Sequence, residues 1–203
     1  MKKAFLIVFI ILFLDQFLKI WVKTHMSIGQ NIPVFGHWFI IHFTENEGMA
    51  YGLKIGGNYG KLILSLFRIV AVIVIGIWLY RITREKVHFG LVFSISLILA
   101  GAFGNIIDSA VYGLIFSETS CMEVARIFPS DGGYTSFLHG RVVDMLYFPV
   151  IETHYPSWFP FWGGEDFTFF RPVFNIADSA ITTGVFTLII FQKKFFNHEM
   201  RDA

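Results

Sequence analysis

Residues 89–108 read FGLVFSISLILAGAFGNIID, and this stretch decides the class of protein. The run is apolar over about 20 residues, the length that an α-helix needs to cross the hydrocarbon core of a membrane. It ends in Asn105 and Asp108, which stand three residues apart and therefore share one face of a helix. We predict a membrane-spanning helix over 89–107 with polar side chains at one end.

Three further segments, 4–22, 62–80 and 173–191, are also long and apolar enough to cross a membrane. The whole chain has 203 residues and is only 15% charged, against about 25% in soluble domains. With a net charge of +1, it does not fit a cytosolic enzyme or a basic nucleic-acid binder. We predict one integral membrane domain, 1–203, with four transmembrane helices, the first retained rather than cleaved as a signal peptide.

The basic residues predict how the helices are oriented. Eight of the sixteen Lys and Arg residues lie in three short segments: the first three residues, the loop 81–88 and the tail after 191. The long connections 23–61 and 108–172 hold six. Because Lys and Arg accumulate on the cytoplasmic side, we expect both termini in the cytoplasm and the long connections on the outer face.

The two outer connections have structure of their own. Residues 34–43, VFGHWFIIHF, are followed by a turn-like TENEG, and we predict a small sheet over about 30–56. The second connection forms an outer loop or helix insertion over 113–172. Its aromatic-rich part, 147–172, fits either a belt at the membrane surface or a packed outer cap.

Ionisable residues in membrane helices are costly and need a partner or a purpose. Asp15 and Lys19 are four residues apart on the first helix and can form an ion pair, or one of them can contact a substrate. A second Asn–Asp pair, Asn175 and Asp178, begins the fourth helix, where helix capping is the simpler explanation.

Asp144 lies between apolar residues, so Asp108, Asp144 and Asp178 converge on the outer side of the membrane. Two neighbouring carboxylates share a proton, and this arrangement can activate water and polarise a carbonyl, as in aspartic proteases. A small proton- or cation-coupled transporter would also place acids in a membrane. Its acids would lie near the bilayer midplane, however.

Other enzyme classes fit less well. There is no Gly-x-Ser-x-Gly motif, and Cys121 is the single cysteine, which also rules out a disulfide framework. The seven histidines include no His-Glu-x-x-His, so we expect no metal site.

Five blocks, in order, resemble the lipoprotein signal peptidases (signal peptidase II), a family of bacterial membrane aspartic proteases. The blocks are Asp15–Lys19, Thr44–Gly52, Gly104–Asp108, Val142–Asp144 and Phe174–Ser179. The resemblance implies four transmembrane helices, a small β-cradle and an outer helix. It also implies removal of signal peptides from prolipoproteins, just before a cysteine that carries diacylglycerol, at the outer face of the bacterial inner membrane.

The resemblance also implies site residues. Asp144 and Asp178 match the catalytic pair, and eight residues match or could support the site around it: Asp15, Lys19, Asn46, Gly48, Asn105, Asp108, Arg141 and Asn175. The partners are then lipidated prolipoproteins and membrane lipids, without nucleic acid or cofactor, and the enzyme is expected to be a monomer.

One departure from the family pattern concerns Ser109. The family usually has an arginine directly after the aspartate of the third helix, but here Ser109 follows Asp108. Arg141 lies three residues before Asp144 and is a candidate replacement. We therefore predict that Arg141 supplies the positive charge to Asp108 or its neighbours; the alternative is that Arg141 faces lipid headgroups.

Overall fold

In the computed structural model, four long helices carry a small antiparallel sheet. The structure describes residues 1–47, 57–85, 87–149, 151–154, 157–161, 164–169 and 172–196. The long helices are α1 (Lys2–His25), α2 (Gly57–Ile82), α3 (Phe89–Ile107) and, after a short α4, α5 (Ile176–Phe196). Each predicted helix is therefore present, and the bounds of α3 agree with the prediction to the residue.

Three helical stretches in the described part of the chain are long and apolar enough to cross a membrane: Lys2–His25, Gly60–Ile82 and Phe89–Ile115. Their outer faces are rich in exposed apolar side chains. On α1, Phe5, Phe9, Phe13 and Phe17 stack in a ladder and are each more than half exposed. In water such a surface would be unfavourable, whereas in a membrane it faces lipid. The chain is a mostly helical, multi-pass membrane protein.

The helix that begins at Phe89 changes its winding at the site. After Ile107 it continues as a π-helical turn, Asp108–Tyr112, and ends with the three-residue α4, Gly113–Ile115. Such π-turns are rare and are frequent at functional sites. The turn carries Asp108 and Tyr112, whose side chains are both buried.

The sheet is assembled from distant parts of the sequence. Its strands are β1 (Asn31–Phe35), β2 (Phe39–Asn46), β3 (Val142–Tyr147) and the short β6 (Val173–Phe174), in the order β1-β2-β3-β6. All neighbours are antiparallel, and Thr44 lies opposite Asp144. Residues 31–46 confirm part of the predicted cradle, while residues 48–56 of that prediction lie outside the described residues.

The sequence predicts an all-α membrane protein with a small β-cradle and, over 113–172, an outer loop or helix insertion. The structure is mostly helical, but the described part of this segment contains more strand than helix. Among its described residues, only Gly113–Ile115 is α-helical. The rest contains β3 and a separate hairpin of β4 (Ile151–His154) and β5 (Asp166–Phe169). Backbone pairing explains the difference, because β3 completes its hydrogen bonds with β2 and β6. In the aromatic-rich part, Trp158 and Phe161 are exposed, which fits a surface belt better than a packed cap.

Two glycines let α3 approach its neighbours closely. A Cβ atom on Gly101 would lie 2.2 Å from the carbonyl oxygen of Ala177 in α5. A Cβ atom on Gly104 would lie 2.8 Å from a carboxylate oxygen of Asp15 in α1. Contacts this short are impossible, so only glycine allows α1, α3 and α5 to meet where their polar residues lie.

Candidate active site

Asp144 is held by β3 in a buried position above the helix ends. Its carboxylate accepts hydrogen bonds from the Nδ2 atoms of Asn46, on the neighbouring strand, and Asn175, at 2.7 Å. Burial, with a further contribution from the negative charge of Asp178, raises the pKa of Asp144 to about 7. Desolvation and a neighbouring like charge both favour the neutral form of an acid. Near neutral pH this group can therefore hold a proton.

Asp178 lies in the first turn of α5 and is half-buried. It accepts a hydrogen bond from Asn105 Nδ2 at 2.9 Å and from the backbone N–H of Asn175 at 3.4 Å. In return, the backbone N–H of Asp178 donates to the side-chain oxygen of Asn175 at 2.9 Å. The pair thus forms a reciprocal helix cap. The capping explanation for Asn175 and Asp178 is confirmed, and it coexists with their place in the site.

Two asparagines join the two aspartates. Asn175 Nδ2 faces Asp144 and also lies 3.3 Å from the side-chain oxygen of Asn105. Asn105 in turn donates to Asp178. The sequence placed these four residues on one side of the membrane, and the structure brings them into one hydrogen-bonded group. Two carboxyl groups in unlike environments, linked by amides, are suited to acid–base catalysis.

A buried charge cluster supports this group from below. Lys19 Nζ lies 2.9 Å from Asp15 and 2.8 Å from Asp108, and it donates to the side-chain oxygen of Asn105 at 3.0 Å. The predicted Asp15–Lys19 ion pair is confirmed. The other oxygen of Asp15 accepts the backbone N–H of Ala177 at 2.9 Å, so the cluster also fixes the start of α5.

Sequence reasoning missed two polar residues of the cluster, Gln16 and Tyr112. Gln16 Nε2 donates to Asp108 at 3.0 Å, and its oxygen accepts from the hydroxyl of Tyr112 at 3.1 Å. An amide beside Asp15 in an apolar helix was a usable signal for Gln16. Tyr112 gave none, because its position depends on the π-turn.

The predicted pairing of Arg141 with Asp108 is wrong. Arg141 binds Glu45 at 2.9 Å and Glu118 at 2.7 Å, while Asp108 takes its positive charge from Lys19. The reason is strand geometry, because residues three apart on an extended chain point to opposite faces. Asp144 faces the asparagines, and Arg141 therefore faces away from them. Ser109, which stands in the usual arginine position, donates to the carbonyl oxygen of Asn105 at 3.1 Å.

Arg141 belongs to a second charged cluster that ties the outer segment to the sheet. Glu45, with a buried side chain, also binds Lys23, which is completely buried at the end of α1. Lys23 Nζ donates to Thr119 in the outer segment at 3.0 Å. The hydroxyl of Tyr134 accepts the backbone N–H of Arg141 at 2.7 Å. This Lys23–Glu45–Arg141 cluster lies on the side of β2 and β3 that faces away from the aspartates.

Gly48 lies outside the described residues. For metals, no group of three or more His, Cys, Asp or Glu side chains is arranged to hold an ion within the ranges that the structure describes.

Comparison with known proteins gives consistent matches along the chain. The family model for Signal peptidase (SPase) II matches residues 7–194. The lipoprotein signal peptidase of Porphyromonas gingivalis is 52% identical over 185 residues, covering 91% of this chain and 80% of that protein. The lipoprotein signal peptidase of Amoebophilus asiaticus is 37% identical over 184 residues, covering 89% of this chain and 73% of that protein.

Solved structures agree with these sequence matches. A structure described as a bacterial membrane enzyme superimposes with a TM-score of 0.61 at 25% identity, covering 96% of this chain and 89% of that chain. A second one has a TM-score of 0.59 at 26% identity and covers 94% and 92% of the two chains. A match over nearly the whole length, in sequence and in fold, leads to one conclusion: this chain belongs to the signal peptidase II family.

Proposed function

We propose that this protein is an aspartic endopeptidase that removes the signal peptide of prolipoproteins by cutting before the diacylglyceryl-modified cysteine. Membership of the family makes the chain a peptidase. The relatives described above are lipoprotein signal peptidases, which supports the substrate class. They give no support to the transporter hypothesis.

Asp144 and Asp178 are the proposed catalytic pair. The observation that carries this assignment is the hydrogen-bonded link from Asp144 through Asn175 and Asn105 to Asp178. The two carboxyl groups are not equivalent: Asp144 is buried and Asp178 is half-buried. Asp178 also lies at the N-terminal end of α5, where the helix dipole stabilises a negative charge.

This asymmetry assigns a role to each aspartate. Asp178 takes a proton from the attacking water, and the oxygen of that water bonds to the scissile carbonyl carbon. Asp144, in its protonated form, gives its proton to the carbonyl oxygen. When the tetrahedral intermediate collapses, the C–N bond breaks, Asp178 gives its proton to the leaving nitrogen, and Asp144 takes back a proton from a hydroxyl group of the intermediate. The asparagines and the Lys19 cluster hold both carboxyl groups in place.

The proposed placement is the bacterial inner membrane, with four transmembrane helices, both termini in the cytoplasm and the aspartates at the outer face. The fourth crossing would be α5, Ile176–Phe196, whose last turn carries Lys193 and Lys194. Those basic residues fit a cytoplasmic end. The enzyme is proposed to act as a monomer that contacts membrane lipids.

The test is cleavage of a purified diacylglyceryl prolipoprotein, read as a gel shift. Asp144→Asn and Asp178→Asn should each lower the rate by at least about a thousandfold, because an amide can neither take a proton from water nor donate an acid proton. Asp131→Asn makes the same change at an exposed outer position and should leave the rate unchanged. Activity retained in either dyad variant would contradict the assignment, provided that size-exclusion chromatography shows a folded protein.

A further inference from the structure

A groove lies at the end of the helices farthest from the aspartates. It has a volume of about 660 Å³ and runs between the start of α1, the end of α2 and the middle of α3. Its walls include Ala4, Phe5, Val8, Leu79 and Leu99. The volume is within the range of about 300–1,000 Å³ that is usual for ligand pockets.

The position of the groove in the membrane limits what can fill it. Its walls are carried by stretches that are apolar enough to span the bilayer. An apolar cavity does not hold ordered water, which needs polar partners. Inside a bilayer, the abundant apolar molecule of suitable shape is a lipid acyl chain.

The rim of the groove carries positive charge. Lys2 lines the groove, and Tyr80, which also lines it, accepts a hydrogen bond from Arg84 at 2.8 Å. The guanidinium group of Arg84 lies over the Tyr80 ring, with 5.0 Å to the ring centroid. Lys3 and Arg81, which adjoin lining residues in the sequence, are also exposed, and Glu85 is the acidic residue of the following loop. The rim therefore attracts anions.

We propose that this groove binds one acyl chain of an anionic glycerophospholipid, whose phosphate group pairs with Lys2 and Arg84. Both the apolar walls and the charge of the rim fit this ligand. With the termini in the cytoplasm, as proposed above, the rim lies at the leaflet surface where anionic lipids attract basic residues.

The positive charge of the rim argues against two other occupants of the groove. The signal peptide of a substrate begins with a basic segment, which the rim would repel. A second copy of this chain in the same orientation would bring its own Lys2, Lys3 and Arg84 to the same level. An anionic lipid is the ligand whose headgroup complements the rim.

The experiment is native mass spectrometry of the full chain in detergent. An equimolar mixture of phosphatidylglycerol and phosphatidylethanolamine with identical acyl chains is the probe. We expect the phosphatidylglycerol adduct to exceed the other by about tenfold, because two basic groups face the headgroup. Equal populations of the two adducts would overturn the proposal.

Two variants separate the acyl-chain site from the headgroup site. Gly76→Phe places a large side chain in the groove and should remove both adducts, whereas Val70→Phe, at an exposed position of the same helix, should leave them unchanged. The double variant Lys2→Gln and Arg84→Gln should keep lipid binding but lose the preference for phosphatidylglycerol. Replacing the exposed Arg126 by Gln is its control at the opposite end.

Phosphatidylglycerol binding that persists in Gly76→Phe would show that the lipid binds elsewhere, and the proposal would then fail. The proposal would also fail if the preference for phosphatidylglycerol survived the loss of both Lys2 and Arg84. The binding measurement requires no cleavage, so its result is independent of the proposed peptidase activity.

Discussion

Asp144 and Asp178 carry the same chemical group in two different settings. Asp144 lies on a strand, buried, and receives hydrogen bonds from two asparagine side chains. Asp178 lies at a helix start, where it is half-buried. These two settings suit the two carboxyl groups to different roles in catalysis.

The pH dependence of cleavage follows from the raised pKa of Asp144. In the proposed mechanism Asp144 must be protonated, and its pKa is about 7. Activity should therefore be highest below this value and fall by about tenfold per pH unit above it. The measurement is kcat/KM for prolipoprotein cleavage, which reports the groups of the free enzyme, with thermal unfolding recorded at each pH as the control. A rate that keeps rising above the pKa of Asp144 would contradict the role of this residue as the acid.

The interaction of Lys19 with Asp108 should stabilise the protein far more than any interaction of Arg141 with Asp108. Lys19→Met leaves the buried Asp15 and Asp108 without their cation, and breaking such a pair costs about 3–5 kcal/mol of unfolding free energy. In a double-mutant cycle, Lys19→Met and Asp108→Asn should be strongly non-additive, whereas Arg141→Met and Asp108→Asn should add to within about 0.5 kcal/mol.

The free energies would come from unfolding in detergent micelles. A large coupling between Arg141 and Asp108, with none between Lys19 and Asp108, would contradict the observed ion pairs.

At the residue scale, local spacing could be read from the sequence and long-range pairing could not. The Asp15–Lys19 pair follows from the helical period alone. The partner of Asp108 does not, because it depends on how α1 packs against α3. Arg141 was assigned from proximity in sequence to Asp144, yet the strand turns its side chain toward Glu45 and Glu118.

α3 can approach α5 closely because Gly101 has no side chain. Gly101→Ala would place a methyl group 2.2 Å from the backbone of Ala177, so the helices must separate. We expect a loss of about 1–3 kcal/mol in stability, typical of overpacking. A larger relative loss of activity is expected, because Asn105 would move away from Asp178.

Gly76→Ala is the matched control for this prediction, since its Cβ would meet Leu99 at an ordinary 3.9 Å. Both variants gain the same helix propensity. Thermal unfolding and the cleavage assay give the two readouts. If both variants behaved alike, close packing at Gly101 would not matter.

Helices and strands were predictable where the local sequence alone determines the secondary structure. The apolar run 89–107 defines α3 without help from the rest of the chain, and the structure has the same bounds. The helix predicted over 173–191 begins three residues later in the structure, at Ile176, because Val173 and Phe174 form β6 and pair with β3. A strand of two residues is too short to show a recognisable pattern in the sequence. β3 was missed for a different reason: its longer partner, β2, lies about a hundred residues away in the sequence.

For the molecule as a whole, the charge distribution predicts its orientation. Reporter fusions at position 203 and within 125–135 should report opposite sides of the membrane, the first cytoplasmic. This outcome requires an even number of crossings before the C-terminus and an outer location for 113–140. Reports from the same side would contradict the four-helix arrangement, and a fusion in the loop 81–85 is a control that should match position 203.

The hydrogen bond from the backbone of Ala177 to Asp15 joins residues 162 positions apart. During synthesis α1 emerges first, and the residues that complete the site emerge near the end. Until α5 enters the membrane, Asp15 lacks this partner, and Asp144 lacks both Asn175 and Asp178. The nascent chain is thus expected to be inert toward neighbouring proteins at the translocation site. The order of translation is therefore expected to delay proteolysis until the last helix has entered the membrane.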